Sequence, residues 1–204
     1  MIEKLSKYIP ENAVHLVDEI LKNHPIDIKI VNNRATKHGD FKRTKNGTFQ
    51  ITINNSLNQY QFLLTLIHEI AHFTTYKKHR NVKPHGIEWK LNFQHLMLPF
   101  VQPTIYPVKI LPHLANYLKN PKASTGTDVN LTYALKQHDE MSGKKFIFEL
   151  QHGCIFTFNN KLYKKGNIRR TRFECVEINN KKTYLFNQNA EVKILNEFSK
   201  KKAL

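Results

Sequence analysis

The constraint that most narrows this chain is a pair of histidines four residues apart inside an apolar run, His68-Glu69-Ile70-Ala71-His72. On an α-helix two side chains at i and i+4 lie one turn apart on the same face, close enough to reach one ion, whereas on a strand they are too far apart. The surrounding Phe62, Leu63, Leu66, Ile67, Ile70 and Phe73 recur with helical spacing. The spacing therefore predicts a helix over 57–76 with both imidazoles on one face, and Asn54, Asn55 or Ser56 as its N-cap. Two stacked imidazoles can hold one metal ion. The acid between them, Glu69, then sits within reach of a water on that ion and serves as general base. Zinc in such a site brings the pKa of water towards neutrality.

A catalytic zinc needs three protein ligands and an open position. Downstream, His79, His85, Glu88 and His95 are available. His79 follows the helix too closely to fold back easily. His85 lies after a 12-residue gap, beside Gly86, at the start of a second helical stretch over 86–98. Glu88 and His95 lie on that second stretch. Spacing favours His85 modestly and leaves the others open.

The rest of the first 120 residues predicts a helix over 11–22, a strand around 28–31, and a hairpin of 41–44 with 48–53 turning at Asn46-Gly47. A basic loop spans 77–84, a proline-punctuated stretch 99–112, and a short helix 114–118. Residues 121–143 have linker composition. From 144 the pattern changes to short strands: 146–148, 154–158 turning at Asn159-Asn160, and 172–178 turning at Asn179-Asn180 into 183–186. Phe146, Phe148, Phe156, Phe158, Phe173, Tyr184 and Phe186 are the expected core of this module.

The paired motifs His68-Glu69-Ile70-Ala71-His72 and Pro84-His85-Gly86-Ile87-Glu88-Trp89-Lys90 resemble the SprT-like, Spartan-related family of zinc metallopeptidases. The resemblance covers about residues 10–120. It implies an α+β, zincin-like metallopeptidase domain over 1–120, built of helices and a small three-stranded sheet. It makes His85 the third ligand beside His68 and His72, Glu69 the catalytic acid, and one zinc ion per chain the cofactor. It places Trp89 under the site and leaves Glu88 as an ordinary helix residue. It also implies protein substrates bound or crosslinked to DNA. Many relatives end in a zinc ribbon with two C-x-x-C pairs. This chain has only Cys154 and Cys175, so the ribbon-like antiparallel β module over 144–204 is expected without a four-thiolate metal site. A mixed site of His152, Cys154 and Cys175 is the weaker alternative to two buried thiols.

Charge agrees with a polyanionic partner. Lys and Arg number 32 against 16 Asp and Glu, and residues 141–204 alone carry 14 basic and 5 acidic side chains. Lys164, Lys165, Arg169, Arg170 and Arg172 are the candidate nucleic-acid contacts. The same charge could serve solubility alone. The alternatives are thus a zinc peptidase unconnected with DNA, and a nucleic-acid-binding module with an inactive metal site. No run is long enough to span a bilayer, and the first residues lack the apolar core of a signal peptide, so the expected location is the cytoplasm, at the nucleoid if DNA is the partner. Tyr76, His95 and Tyr106 are the candidates for stabilising an oxyanion.

Overall fold

A computed structural model of the chain describes residues 1–34, 36–79, 81–139 and 143–195. Position 80 of the basic loop, the end of the expected linker (140–142) and the tail of the C-terminal module (196–204) lie outside them. The chain divides into two compact units, Met1–Asp139 and Glu140–Leu204. The first is α+β around a three-stranded sheet; the second holds a separate six-stranded antiparallel sheet.

In the first unit, α1 (Ile2–Leu5) and α2 (Val14–Lys22) precede β1 (Asp27–Val31), β2 (Gly39–Arg43) and β3 (Phe49–Asn54). Val17 of α2 is buried, and Val14, Ile20 and Leu21 pack beside it. β3 is the central strand, antiparallel to β2 and parallel to β1. Its Ile51 and Ile53 are fully buried in the core that α3 shares. With β3 central, β2 lies at an edge of the sheet.

The next helix, α3 (Gln59–Lys78), crosses the core with 14 of its 20 residues buried, which explains why its sequence is apolar on nearly every face. Asn58 caps it, accepting from the backbone N–H groups of Tyr60 and Gln61 at 3.1 and 3.0 Å. The cap is thus Asn58, a few residues later than the sequence suggests. α4 (Ile87–Met97) puts Trp89, Phe93 and Met97, spaced by four, against the core. Its Asn92 amide donates to Ala71 C=O, Thr74 Oγ1 and Thr75 Oγ1, which fixes α4 on α3.

α5 (Leu111–Lys119) follows, and here the chain departs from the linker expected over 121–143. Val129–Lys136 forms a sixth helix, α6, whose Leu131 and Leu135 are buried in the first core. Asp128 caps it through Leu131 N–H. At its C-terminal end, Leu135 C=O and the Asp139 carboxylate accept from the amide of Asn58, so α6 is tied to the start of α3. Polar spacing hid two apolar side chains that are enough to dock one short helix.

The second unit has β4 (Lys145–Phe146), β5 (Ile155–Phe158), β6 (Lys161–Arg169), β7 (Arg172–Glu177), β8 (Thr183–Asn187) and β9 (Glu191–Ile194), in the order β4-β9-β5-β6-β7-β8. β6 and β9 were not anticipated from the sequence. The stretch expected as a strand over 146–148 holds only the end of β4 and then a tight 3-10 turn. Asn159 and Asn160 both adopt positive φ, as a two-residue hairpin loop needs. In the β7–β8 loop, by contrast, Lys181 takes the positive φ, not Asn179 or Asn180. Ile147, Leu150, Phe156, Tyr163, Cys175, Phe186 and Val192 form the core; Phe158 and Phe173 pack beside it, and Tyr184 is 36% exposed.

Asn58→Ala removes the α3 cap and its tie to α6. We expect a loss of about 1–2 kcal/mol of stability in the first unit, read as an earlier unfolding transition by denaturant titration, with the second unit's transition unchanged.

Candidate active site

His68 and His72 lie one turn apart on α3, and both rings face the same point. His85 reaches that point from a tight turn. Gly86 N–H donates to Lys83 C=O at 2.8 Å, Pro84 occupies the second position, and His85 the third with φ of 58°. A third residue with positive φ is the mark of a type II turn, where glycine or asparagine is usual. Holding histidine there costs about 1–3 kcal/mol, and such strain gathers at functional sites. The sequence placed the tight backbone at Gly86. The structure places the unusual φ on His85 itself. Gly86 is needed for space, since a Cβ there would lie 2.8 Å from Lys83 C=O.

The three Nε2 atoms form a near-equilateral triangle, with His68–His72 and His68–His85 separations of 3.3 Å and a His72–His85 separation of 2.9 Å. A tetrahedral ion with bonds of about 2.0–2.1 Å to nitrogen sets edges of about 3.3 Å. The donor set therefore fits a small tetrahedral ion with one position left open. Among the described residues these three side chains are the one group able to hold a metal ion, so His79, Glu88 and His95 are not part of it, nor do His152, Cys154 and Cys175 form a second.

Burial and mutual proximity keep the imidazoles neutral. The pKa of His68 is pushed down to about 3 and that of His72 to about 4; that of His85 falls for the same first reason, burial. Neutral rings keep the lone pairs that a metal needs. Trp89, 1% exposed, lies under all three: it stacks on His72 at 5.2 Å and meets His68 and His85 edge-on at 4.7 and 4.6 Å. Phe93 stacks beneath it at 5.1 Å.

Glu69 is only 7% exposed. Burial raises its pKa to about 8, and Asp40 adds to the rise; Lys37, Arg34 and a hydrogen bond from Phe41 N–H oppose it. β2 passes directly over this carboxylate. A Cβ at Gly39 would stand 2.7 Å from Glu69 Oε1 and 2.7 Å from Thr65 Cγ2, so no other residue fits without moving the acid. The loop before β2 is fixed from below. The buried Asn54 amide donates to Asn33 Oδ1, Arg34 C=O and Lys37 C=O. Arg34 in turn donates to Asn54 Oδ1 and Thr52 Oγ1 at 2.8 and 2.9 Å. Neither Gly39 nor this clamp was visible in the sequence, because each depends on a contact between distant residues.

A cleft of about 420 Å³ opens over the site, lined by β2 residues Gly39–Phe41, the three histidines, Glu69, Trp89 and the 82–85 loop. Ala123 lines it too, so the stretch expected as a linker forms part of its wall. Of the oxyanion candidates, Tyr76 borders the cleft. His95 is exposed elsewhere on α4, and Tyr106 is fully buried with its hydroxyl donating to Tyr60 C=O.

The candidate nucleic-acid contacts in the second unit separate. Lys164 is exposed, and Arg169, Arg170 and Arg172 are exposed at the β6–β7 hairpin, where Arg169 and Arg172 face each other across the turn and Arg170 has positive φ. Arg169 pairs with Glu174 at 3.5 Å. Lys165 differs: it is 5% exposed, donates to Leu150 C=O, and lies 4.0 Å over the Phe173 ring. Strand alternation puts Lys164 outside and Lys165 inside, so Lys165 is unsuited to phosphate contact. Its backbone bridges those of Cys154 and Cys175, its neighbours on either side in the sheet.

Two outcomes follow for the metal-free chain. His85→Ala should abolish stoichiometric metal binding, read as metal content and as the response of Trp89, the chain's one tryptophan, to added metal. Stability should peak near pH 6.5. Below it the unfolded state takes protons that His68 and His72 refuse until about pH 3–4, so stability falls with falling pH. Above it Glu69, held protonated up to about pH 8, binds a proton the unfolded chain has already released, so stability falls with rising pH. Glu69→Gln should flatten the alkaline side in thermal unfolding.

Residues 10–106 match the model of the SprT-like family. No curated protein and no solved structure matches the chain. The matched segment spans the sheet, the α3 histidines, Glu69, the His85 turn and α4. On that match, residues 10–106 of the first unit are similar to the SprT-like family.

Proposed function

We propose that the chain is a zinc-dependent endopeptidase with a zincin-like catalytic domain. The observation that carries this reading is the Nε2 triangle of His68, His72 and His85 with Glu69 beside it in an open cleft. Zinc held there supplies Lewis acidity and hydroxide near neutral pH. The residues of the chain do the rest. Glu69 accepts the proton of the attacking water on its carboxylate and delivers it to the leaving amine. A carboxyl poised near neutrality suits both duties, since it must bind the proton and give it up. Gly39 and Phe41 N–H hold that carboxylate in place. β2, an edge strand along the cleft, offers its backbone to an extended polypeptide as one more strand. Tyr76, one turn beyond His72, is the candidate to donate to the developing oxyanion.

The substrates we propose are proteins on DNA. The net charge of +16 and the three exposed arginines at the β6–β7 hairpin support that part, with Lys164 as a further contact. A peptidase indifferent to DNA is the competing reading, and DNA-stimulated cleavage that weakens with salt separates the two.

Glu69→Gln should keep one zinc per chain and lose cleavage of a protein substrate by at least ~10³-fold. Equal inertness of wild type and variant would favour a binding module over an enzyme. Gly39→Ala should keep zinc but lower kcat by about tenfold or more, since it displaces the base rather than the ligands. Replacing Arg169, Arg170 and Arg172 by alanine should weaken DNA binding and flatten its salt dependence by about 0.9 per lost phosphate contact on a log–log plot, measured by anisotropy. Lys165→Met should leave that slope unchanged.

A further inference from the structure

The cleft has two lobes that meet at the catalytic residues. The larger, about 420 Å³, extends along α3 beyond His72 and is walled by Phe41, Tyr76, Val82 and Pro84. The smaller, about 170 Å³, lies towards the start of α3 and is walled by Thr36, Lys37, His38, Thr65 and Ser124. Gly39, His68, Glu69 and Ala123 line both. The two lobes thus lie on either side of the site that Gly39, His68 and Glu69 form. We propose that this cleft selects substrates by side-chain size across the scissile bond, with a large apolar residue in the lobe of Tyr76 and Val82 and a small residue in the lobe of Thr65. The proposal rests on the peptidase reading and names its substrate class.

The walls differ in chemistry as well as volume. Phe41 and Tyr76 are half-buried, and their rings are held 6.3 Å apart by Phe49 and Phe73. Such aromatics gain by covering an apolar side chain, at about 25 cal/mol for each Å² removed from water. The lobe's volume falls in the range of pockets that enclose ligands, about 300–1,000 Å³. The small lobe falls below that range. Its walls are hydroxyls and polar side chains, and Thr65 crowds the neck, 2.7 Å from where a Gly39 Cβ would stand. The Lys37 ammonium is paired with Asp40 at 2.9 Å, so this lobe is not built around a cation awaiting an acidic side chain. Val82 is partly exposed on the loop before the His85 turn, outside the metal ligands and the core cluster.

The test uses the full zinc-loaded chain in two ways. Wild type is given a degenerate peptide library, and the residues flanking each cleaved bond are read by mass spectrometry. Aromatic residues, Leu and Met should be enriched several-fold on one flank, and Gly, Ala, Ser and Thr on the other. Zinc-loaded Glu69→Gln is then titrated by calorimetry with an uncleaved peptide carrying Phe on the apolar flank, and with its Asp counterpart. The Phe peptide should bind at least tenfold tighter, and Val82→Arg in the same background should erase the difference while Val82→Leu keeps it. Cleavage without flank preference, or equal binding of the two peptides, overturns the proposal and leaves the peptidase reading standing. Absence of cleavage together with preferential, Val82-dependent binding of the Phe peptide overturns the peptidase reading and sustains the two-lobed pocket.

Discussion

Placing a carboxylate and two imidazoles on the buried face of a helix is expensive, because each loses its water and must find another reason to stay. The fold meets that cost at Glu69 by laying the edge of β2 on it. Phe41 N–H replaces one lost water contact, and Gly39 permits the approach. That approach in turn requires Asn33, Arg34 and Lys37 to hold their places before β2, which Asn54 and Arg34 enforce from the centre of the sheet. The order of dependence thus runs from β3, through two polar side chains, to Glu69. His68 receives less compensation: its Nδ1 is buried without a hydrogen-bond partner among the described residues, and its stability rests on ring contacts with Trp89 and Phe93.

Some of this was legible in the sequence because it is local. The apolar periodicity around the i, i+4 histidines predicts a helix, and Gly86 marks a tight backbone beside His85, one residue from where the positive φ falls. His85 as the third member came from resemblance, and its three-dimensional approach to His68 and His72 agrees. What escaped is non-local. Gly39 carries no mark in sequence of the carboxylate it must admit. α6 has one short apolar face, Leu131 and Leu135, within a stretch of loop composition. Ala123 says nothing of a cleft. Tyr106 and His95 were plausible by residue type, and only burial and position remove them.

The second unit shows the same division at finer grain. Its strands were anticipated where aromatics alternate, as in β5 and β8, and missed where charge masks the alternation, as in β6. Lys164 and Lys165 are neighbours in sequence and opposites in environment, a difference set by the two-residue period of the strand. Treating the run of basic residues as one patch therefore overcounts it by Lys165. The exposed arginines at the hairpin remain together because Arg169 and Arg172 pair across the ends of β6 and β7 and Arg170 lies in the turn between them.

The interior position of Lys165 has a consequence for what the second unit's fold depends on. An ammonium group fixed to Leu150 C=O and Phe173 lies inside the second unit, on β6 opposite Cys175 of β7. The one three-ligand group among the described residues lies in the other unit. Loss of any ion from the three-histidine group would therefore leave the sheet of the second unit, and the arginines at its hairpin, in place.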